Sequence, residues 1–261
     1  MPDALNVAKT GLNAQQERMS VISNNLANVN TTGFKRDRAT FEDLLYQNVK
    51  QGGAQTSADT AAPTGLLLGT GTRVVATEKL HAQGNIIQTQ NAFDVAISGE
   101  GFFQILQPDG TLAYSRDGGF KISAEGVLVN SSGYRLQPEL AIPQNAQTVT
   151  IGADGTVSIQ TFGEAAAQTI GQIQVARFLN PSGLQAIGEN LFRETSSSGP
   201  PQVGIPTQQG NGQLIQGALE SSNVNVVEEM VNMIETQRAY EVNSKAIDSV
   251  NSMLQYANNN L

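Results

Sequence analysis

The sequence predicts an α+β chain, with N- and C-terminal helices paired as a coiled coil and a β-rich middle domain built as a small barrel or sandwich. Three observations predict it. Leu5, Ala8, Leu12, Gln15, Met19, Ile22, Leu26 and Val29 alternate spacings of three and four, and all but Gln15 are apolar, which is a heptad seam. Val226, Met233, Tyr240, Ile247 and Leu254 recur every seventh residue near the other end. Between them, turn signals recur about every eight to twelve residues, the spacing of short strands joined by hairpins.

The first helix is expected from about Asp3, a suitable N-cap, to Asn28. Asn28, Asn30, Thr31 and Thr32 compete for backbone hydrogen bonds, and Gly33 suits a left-handed position, so the helix should stop there. The backbone entropy of so long a segment exceeds what its large apolar seam residues return, so it should fold on meeting the C-terminal helix, neighbouring subunits or both.

Phe41, Leu44, Leu45 and Tyr46 form a short apolar segment. A long loop is expected over 46–65, and its Gln51–Gly65 part is low in complexity. By composition that part is a flexible linker. Leu66 to Leu80 mixes glycine with alternating apolar positions. Neither Gly69-Thr70-Gly71 nor Gly99-Glu100-Gly101 has the third glycine of a dinucleotide fingerprint, and no Walker A run occurs.

From about Phe93 to Phe192 the chain reads as β structure. Val95–Ile97, Phe102–Leu106, Leu112–Ser115, Val149–Ile151, Val157–Ile159 and Ile173–Phe178 are strand runs. Asp109-Gly110, Asp117-Gly118, Glu125-Gly126, Ser132-Gly133 and Asp154-Gly155 are the turns between them. Ser196–Gly212, rich in Ser, Gly, Pro and Gln, should be an exposed connection. The final helix should run from Asn225 to Ala257, with Asn225 and Glu228 in a capping-box arrangement. Glu241 and Lys245 stand four apart in the favourable order, and Arg238 is three from Glu235 and Glu241. The expected division is 1–32 plus 223–261 as the helical domain, 33–92 plus 193–222 as a connecting region, and 93–192 as the β-rich outer domain.

Composition excludes several functions. The formal net charge of −8 argues against nucleic acid or an anionic membrane as the main ligand. Zero cysteines remove disulfides, thiolate zinc sites and a cysteine nucleophile. Met1-Pro2-Asp3-Ala4 has no basic stretch and no apolar run follows, so no cleavable signal peptide is expected. His81 is the only histidine and sits among polar residues, so a surface or hydrogen-bonded role is expected. Asp109, Asp117 and Asp154 each precede glycine and read as turn formers. No catalytic residue, cofactor site or metal site emerges.

One run is specific. Asn25-Leu26-Ala27-Asn28, followed by Thr31, Gly33, Phe34 and Lys35, resembles the N-terminal signature of the bacterial flagellar rod and hook proteins. Gly101-Phe102-Phe103 with Tyr114-Ser115-Arg116-Asp117-Gly118 resembles the domain those proteins share, and Gly188–Phe192 its exit. Gly217–Val224, Glu229–Ile234 and Gln237-Arg238-Ala239-Tyr240 resemble their C-terminal signature. The resemblance thus covers essentially the whole chain, and length and order of parts resemble the distal rod subunit more than the longer hook subunit. Asn6 departs from it, standing where the family often has a bulky apolar or aromatic residue; this bears on the packing of the first turn.

The resemblance implies a structural subunit, not an enzyme, that polymerises helically into a rigid tube. That tube would enclose the export channel and pass torque from motor to hook. It implies assembly through Leu5, Leu12, Met19, Ile22, Leu26 and Val29 at one end and Val226, Met233, Tyr240, Ile247 and Leu254 at the other. It implies export without cleavage into the periplasm-spanning rod of the basal body. Expected partners are further copies of the chain, proximal rod proteins, hook or hook–rod junction proteins, the surrounding ring proteins and the export apparatus, with no direct membrane insertion. Over Gln51–Gly65 it implies a strap between subunits that stiffens the rod. Two alternatives stay open: a proximal rod or hook subunit of the same family, and a glycan-binding or glycan-cleaving β-domain with helical arms.

Overall fold

The computed structural model describes residues 2–51, 55–57, 60–61, 64–162 and 166–259. The chain divides into two compact units, one of residues 1–27, 37–78 and 225–261, the other of residues 28–36 and 79–224. The fold is α+β, with a helix at each end and a strand-rich middle.

In the first unit, helices α1 (Pro2–Ala27) and α2 (Val226–Asn259) pack along each other. The Asn225 side-chain oxygen accepts the backbone N–H groups of Val227 and Glu228, which caps α2. Gly11 lies against Asn243, so that a methyl group on Gly11 would come 3.2 Å from the Asn243 amide. Gly11 is 16 residues before the end of α1 and Asn243 is 17 after the start of α2.

The expected seam residues of α1 are all buried or half-buried, whereas the expected stripe of α2 is only partly covered. On α1, Ala14, Ile22 and Asn25 are buried, and Leu5, Leu12, Met19 and Leu26 are half-buried. On α2 the buried positions are Glu229 and Thr236, with Thr236 fully enclosed and its hydroxyl donated to the Asn232 carbonyl. Met233 and Ile247 are half-buried, whereas Val226, Tyr240 and Leu254 remain 39%, 41% and 36% exposed. Among the covered groups are the small residues Gly11 and Ala14 on α1 and Thr236 on α2, beside the apolar Ile22, Met233 and Ile247. The every-seventh stripe of α2 is turned partly outward. Arg238, Glu241 and Lys245 form no ion pair among the described residues of the single chain, so the expected helix-surface pairs are absent from it.

The rest of the first unit is β ribbon. Strand β1 (Asp37–Asp43) pairs with β6 (Thr72–Lys79), β2 (Gln47–Lys50) with β5 (Leu66–Leu68), and β3 (Gln55–Ser57) with β4 (Thr60–Ala61). The expected low-complexity linker lies partly outside the described residues; within it, Gln55–Ser57 and Thr60–Ala61 are paired strand.

The second unit opens with β7 (Ile86–Gln88), β8 (Val95–Ser98), β9 (Phe102–Leu106) and β10 (Leu112–Ser115). It continues with β11 (Lys121–Ile122), β12 (Leu128–Val129), β13 (Arg135–Gln137), β14 (Ala146–Ile151), β15 (Thr156–Thr161), β16 (Gln168–Gln172) and β17 (Val175–Arg177). It ends with β18 (Gln185–Gly188), β19 (Leu191–Arg193), β20 (Gln202–Gly204), β21 (Gln213–Gln216) and β22 (Ala218–Glu220). The main sheet runs β11-β12-β13-β9-β10-β19-β18, with β17 joining β9 to β20; β14, β15 and β16 form a second sheet. Two ribbons, β21 with β8 and β22 with β7, bring the end of the unit back to its start.

Strand alternation places the core on two faces of β9. Phe103 and Ile105 enter a large cluster with Val95, Ile97, Phe120, Leu128, Val157, Ile173 and Leu214. Phe102 enters a smaller one with Tyr114, Ala176, Phe178, Leu184 and Phe192. The predicted turn glycines Gly110, Gly126, Gly133 and Gly155 have positive φ. Gly118 serves a different need: a methyl group there would fall 1.7 Å from the Val95 carbonyl oxygen. The expected exposed connection over Ser196–Gly212 contains β20 and the buried Ser198, because β17 needs a partner on its outer side. Among the described residues, no helix is long and apolar enough to cross a membrane.

Candidate functional site

The signature residues Asn25 to Lys35 serve the two units in different ways. In the first unit, Asn25 works as a surrogate strand. Its amide donates to the Asp37 carbonyl at 2.9 Å, and its oxygen accepts the Asp37 N–H at 2.8 Å. Asn25 is 1% exposed, so the start of β1 is tied to the last turn of α1 by two buried hydrogen bonds. Leu26 beside it is half-buried, and Ala27 closes the helix.

In the second unit, residues 28–36 are part of the fold. Thr31 donates its hydroxyl to the Asn28 side-chain oxygen, and the Phe34 N–H returns to the Thr31 carbonyl. Gly33 has φ +67 and donates to the Glu220 carbonyl at 2.8 Å. A methyl group on Gly33 would lie 2.6 Å from the Asp117 backbone nitrogen, so only glycine allows this approach. Thr32 donates to the Asp117 carboxylate, and the Asn190 amide donates to the Thr32 carbonyl. Val29, past the helix end, is half-buried here.

Lys35 is the centre of the junction. Its ammonium donates to Glu220 Oε1 at 2.5 Å and to the Ala82 carbonyl at 2.8 Å, and both side chains of the ion pair are fully enclosed. The other Glu220 oxygen accepts Arg116 Nη1 at 3.3 Å, and Oε1 also accepts the Gly84 N–H. Arg116 donates as well to the Gly99 and Ile97 carbonyls and lies 5.5 Å from the Phe102 ring centre. Burial lowers the pKa of Lys35, with Glu220 pulling the other way; burial likewise lowers that of Arg116. Asn223 seals the junction by accepting the Arg36 N–H and donating to the Leu80 and Ala82 carbonyls. Lys79 sits over Phe34, 5.0 Å from the ring centre.

His81 is half-buried, with both ring nitrogens turned away from solvent. It stands edge-on to Phe102 and Phe192, at 5.5 and 5.4 Å between ring centres, and neither ring nitrogen meets a partner of normal geometry. Burial first, then the charges of Lys35, Arg116 and Lys79, lower its pKa to about 4; the Pro181 carbonyl pulls weakly upward. The turn aspartates do close their turns: Asp109 accepts from Thr111, Asp154 from Thr156, and Asp117 from Gly119. These bonds hold the Asp109 and Asp154 carboxyls below the usual range.

The C-terminal signature lies on α2, where Gln237, Arg238 and Tyr240 are exposed and Ala239 is half-buried. Sequence reasoning missed Glu220, Arg116 and His81 as one cluster. Glu220 and Arg116 do sit within quoted motifs, and Glu220, a charged residue at the end of a strand run between Leu219 and Ser221, carries a signal that could have marked it.

Three family models match along the chain. Residues 5–35 match "Flagella basal body rod protein", residues 96–159 match "Flagellar hook protein FlgE/F/G D1 domain", and residues 215–260 match "Flagellar basal body rod FlgEFG protein C-terminal". The flagellar basal-body rod protein FlgG of Buchnera aphidicola subsp. Schizaphis graminum is 54% identical over 98% of both chains. The chain belongs to the flagellar basal-body rod protein family. The FlgG protein of Borreliella burgdorferi is 48% identical, over 99% of this chain and 98% of its own. The FlgF rod protein of Caulobacter vibrioides is 33% identical, over 95% and 94%. The chain is a structural subunit of the flagellar rod. The matched regions include both terminal signatures and the start of the β-rich unit, so the Lys35–Glu220–Arg116 junction draws one residue from each.

Proposed function

We propose that this rod subunit is the distal one and that many copies stack helically into a rigid tube around the export channel, carrying torque from motor to hook. The observation that carries the reading is the outer face of α2. Val227, Met230, Val231, Ile234 and Val242 are exposed large apolar residues that α1 does not cover. A helix with so much apolar surface turned to water needs further partners, and other copies of the chain supply them. In this reading the terminal helices, 1–32 plus 223–261, form the coiled-coil inner layer. Residues 93–192 form the outer domain, closed as a small barrel or sandwich, and 33–92 plus 193–222 connect the two. The half-exposed stripe Val226, Met233, Tyr240, Ile247 and Leu254 packs against α1-type seams of neighbouring copies, through Leu5, Leu12, Met19, Ile22, Leu26 and Val29.

The ribbon of β2 and β5 flanks the Gln51–Gly65 stretch, which acts as the strap in this reading. Leu45, Tyr46, Val49, Leu66, Leu67 and Leu68 are all exposed on or beside it, which suits a cover by a neighbouring subunit. The names of the FlgG relatives, at 44–54% identity, support the rod over the hook. The subunit acts without catalysis and meets proximal rod, hook or hook–rod junction, ring and export-apparatus proteins. It takes its place in the periplasm-spanning rod.

Electron microscopy of concentrated protein tests this. The full chain should form straight tubes, and a fragment of residues 28–224 should not. Tubes from that fragment would show that the helices are not the assembly element.

A further inference from the structure

Asn211-Gly212 is the one Asn-Gly pair in the sequence, and the second unit closes tightly around it. Gly212 packs against the turn between β8 and β9. A methyl group on it would lie 2.6 Å from the Ser98 carbonyl oxygen, and one on Gly99 would lie 2.8 Å from the Gly212 Cα. Close approach thus requires glycine at 212, and glycine offers no side chain to hinder its own nitrogen from reaching Asn211. Two hydrogen bonds keep the two groups from meeting. The Gly212 N–H donates to the Glu100 carbonyl at 2.7 Å, and the Asn211 amide donates to the Ile205 carbonyl at 3.1 Å. Gly212 is buried and Asn211 half-buried, so the bonded nitrogen neither loses its proton to solvent base nor turns toward the amide.

We propose that Asn211 is a self-modification site: the fold holds it shut, opening of residues 205–212 lets it deamidate, and the product keeps that loop open. The step needs no reagent but water. The Gly212 nitrogen bonds to Asn211 Cγ, the Cγ–Nδ2 bond breaks, and Nδ2 leaves as ammonia with the proton that the Gly212 nitrogen gave up. Water then opens the five-membered imide at one carbonyl or the other, leaving aspartate or isoaspartate. Neither carboxylate can donate to the Ile205 carbonyl. Isoaspartate also lengthens the backbone by one carbon, which moves Gly212 away from Glu100 and from Thr207, whose N–H its carbonyl accepts at 3.2 Å.

The loop that must open is a weak place in the unit. Thr207 and Gln209 have φ of 70 and 53, left-handed values that are costly for residues with side chains. Residues 207–210 are all exposed, and the bonds that fold them, Gln208 N–H to the Ile205 carbonyl and Asn211 N–H to the Gln208 carbonyl, lie within the loop itself. Such a segment opens at a lower free energy than the strands beside it. Deamidation should therefore follow the opening of this loop.

The full chain, incubated in mildly alkaline buffer with urea from zero to beyond the unfolding transition, tests this. Mass spectrometry of the peptide that contains Asn211 counts its aspartyl and isoaspartyl forms over time. Without urea the rate should be at least about tenfold below that of the unfolded chain, and it should rise in step with hydrogen exchange of the Gly212 N–H. Asn211→Asp, one of the two products, should speed exchange at Thr207 and Gly212 at least about tenfold, while the amides of β9 and β10 exchange as in the wild type. Equal rates in the folded and unfolded chain, or a rate that does not follow Gly212 exchange, would overturn the guarded site. Unchanged exchange in Asn211→Asp, or loosening that spreads to β9 and β10, would overturn the local release.

Discussion

At Gly71 a single backbone position settles how the ribbon meets α1. Its φ is +120, and a methyl group there would come 2.1 Å from the Thr10 hydroxyl oxygen, which itself accepts the Thr72 N–H. Gly71→Ala should therefore cost the first unit about 1–3 kcal/mol in backbone strain, with the clash added. Thr10→Ala in the same chain should recover the clash but not the strain, and thermal unfolding of the pair of variants separates the two. Lys35 and Glu220 differ in a similar way. Lys35→Met leaves Glu220 with Arg116, whereas Glu220→Gln leaves two enclosed cations without a carboxylate. Breaking a buried pair costs about 3–5 kcal/mol, so both variants should lower the urea midpoint, and Glu220→Gln should lower it more. Equal losses would mean that Arg116 contributes little.

At the scale of elements, α2 presents one face to α1 and another outward. Met230→Asp with Val231→Asp changes only the outward face. The single chain should keep its stability within about 0.5 kcal/mol per site, while tube formation by electron microscopy is lost. Asn25→Ala acts the opposite way. It removes both bonds to the Asp37 backbone and leaves buried groups unpaired, which should cost about 2–4 kcal/mol and speed hydrogen exchange at the start of β1. The heptads of both helices were legible in the sequence because apolar periodicity is a local property. The face that α2 turns inward was only partly legible, since Glu229 and Thr236 are its most buried positions while Val226, Tyr240 and Leu254 of the every-seventh stripe stay exposed.

For the whole molecule, the division of the chain does not follow the order of its sequence. Residues 28–36 belong to the unit formed by 79–224, although they directly follow α1. A fragment of 28–224 should fold alone with a single urea transition. A fragment of 34–222 should be clearly weaker, since it lacks the Gly33 bond to Glu220 and the Asn223 bonds to Arg36, Leu80 and Ala82. Matching stability in the two fragments would show that the signature segment is not part of the unit.

The sequence by itself determined the α+β class, the extent of the two helices, most of the strands between Phe93 and Phe192, and membership of the rod and hook family. Each rests on local pattern: heptad spacing, alternation, Asx-Gly turns and short signature runs. Only the tertiary structure decided that Lys35, Glu220 and Arg116 share one enclosed site, that His81 stands edge-on to two aromatic rings, and that Val227, Met230, Val231, Ile234 and Val242 of α2 stay exposed. Those facts join residues up to 185 positions apart. Burial and charge pairing at such separations are set by the folded path of the chain, which no local pattern encodes.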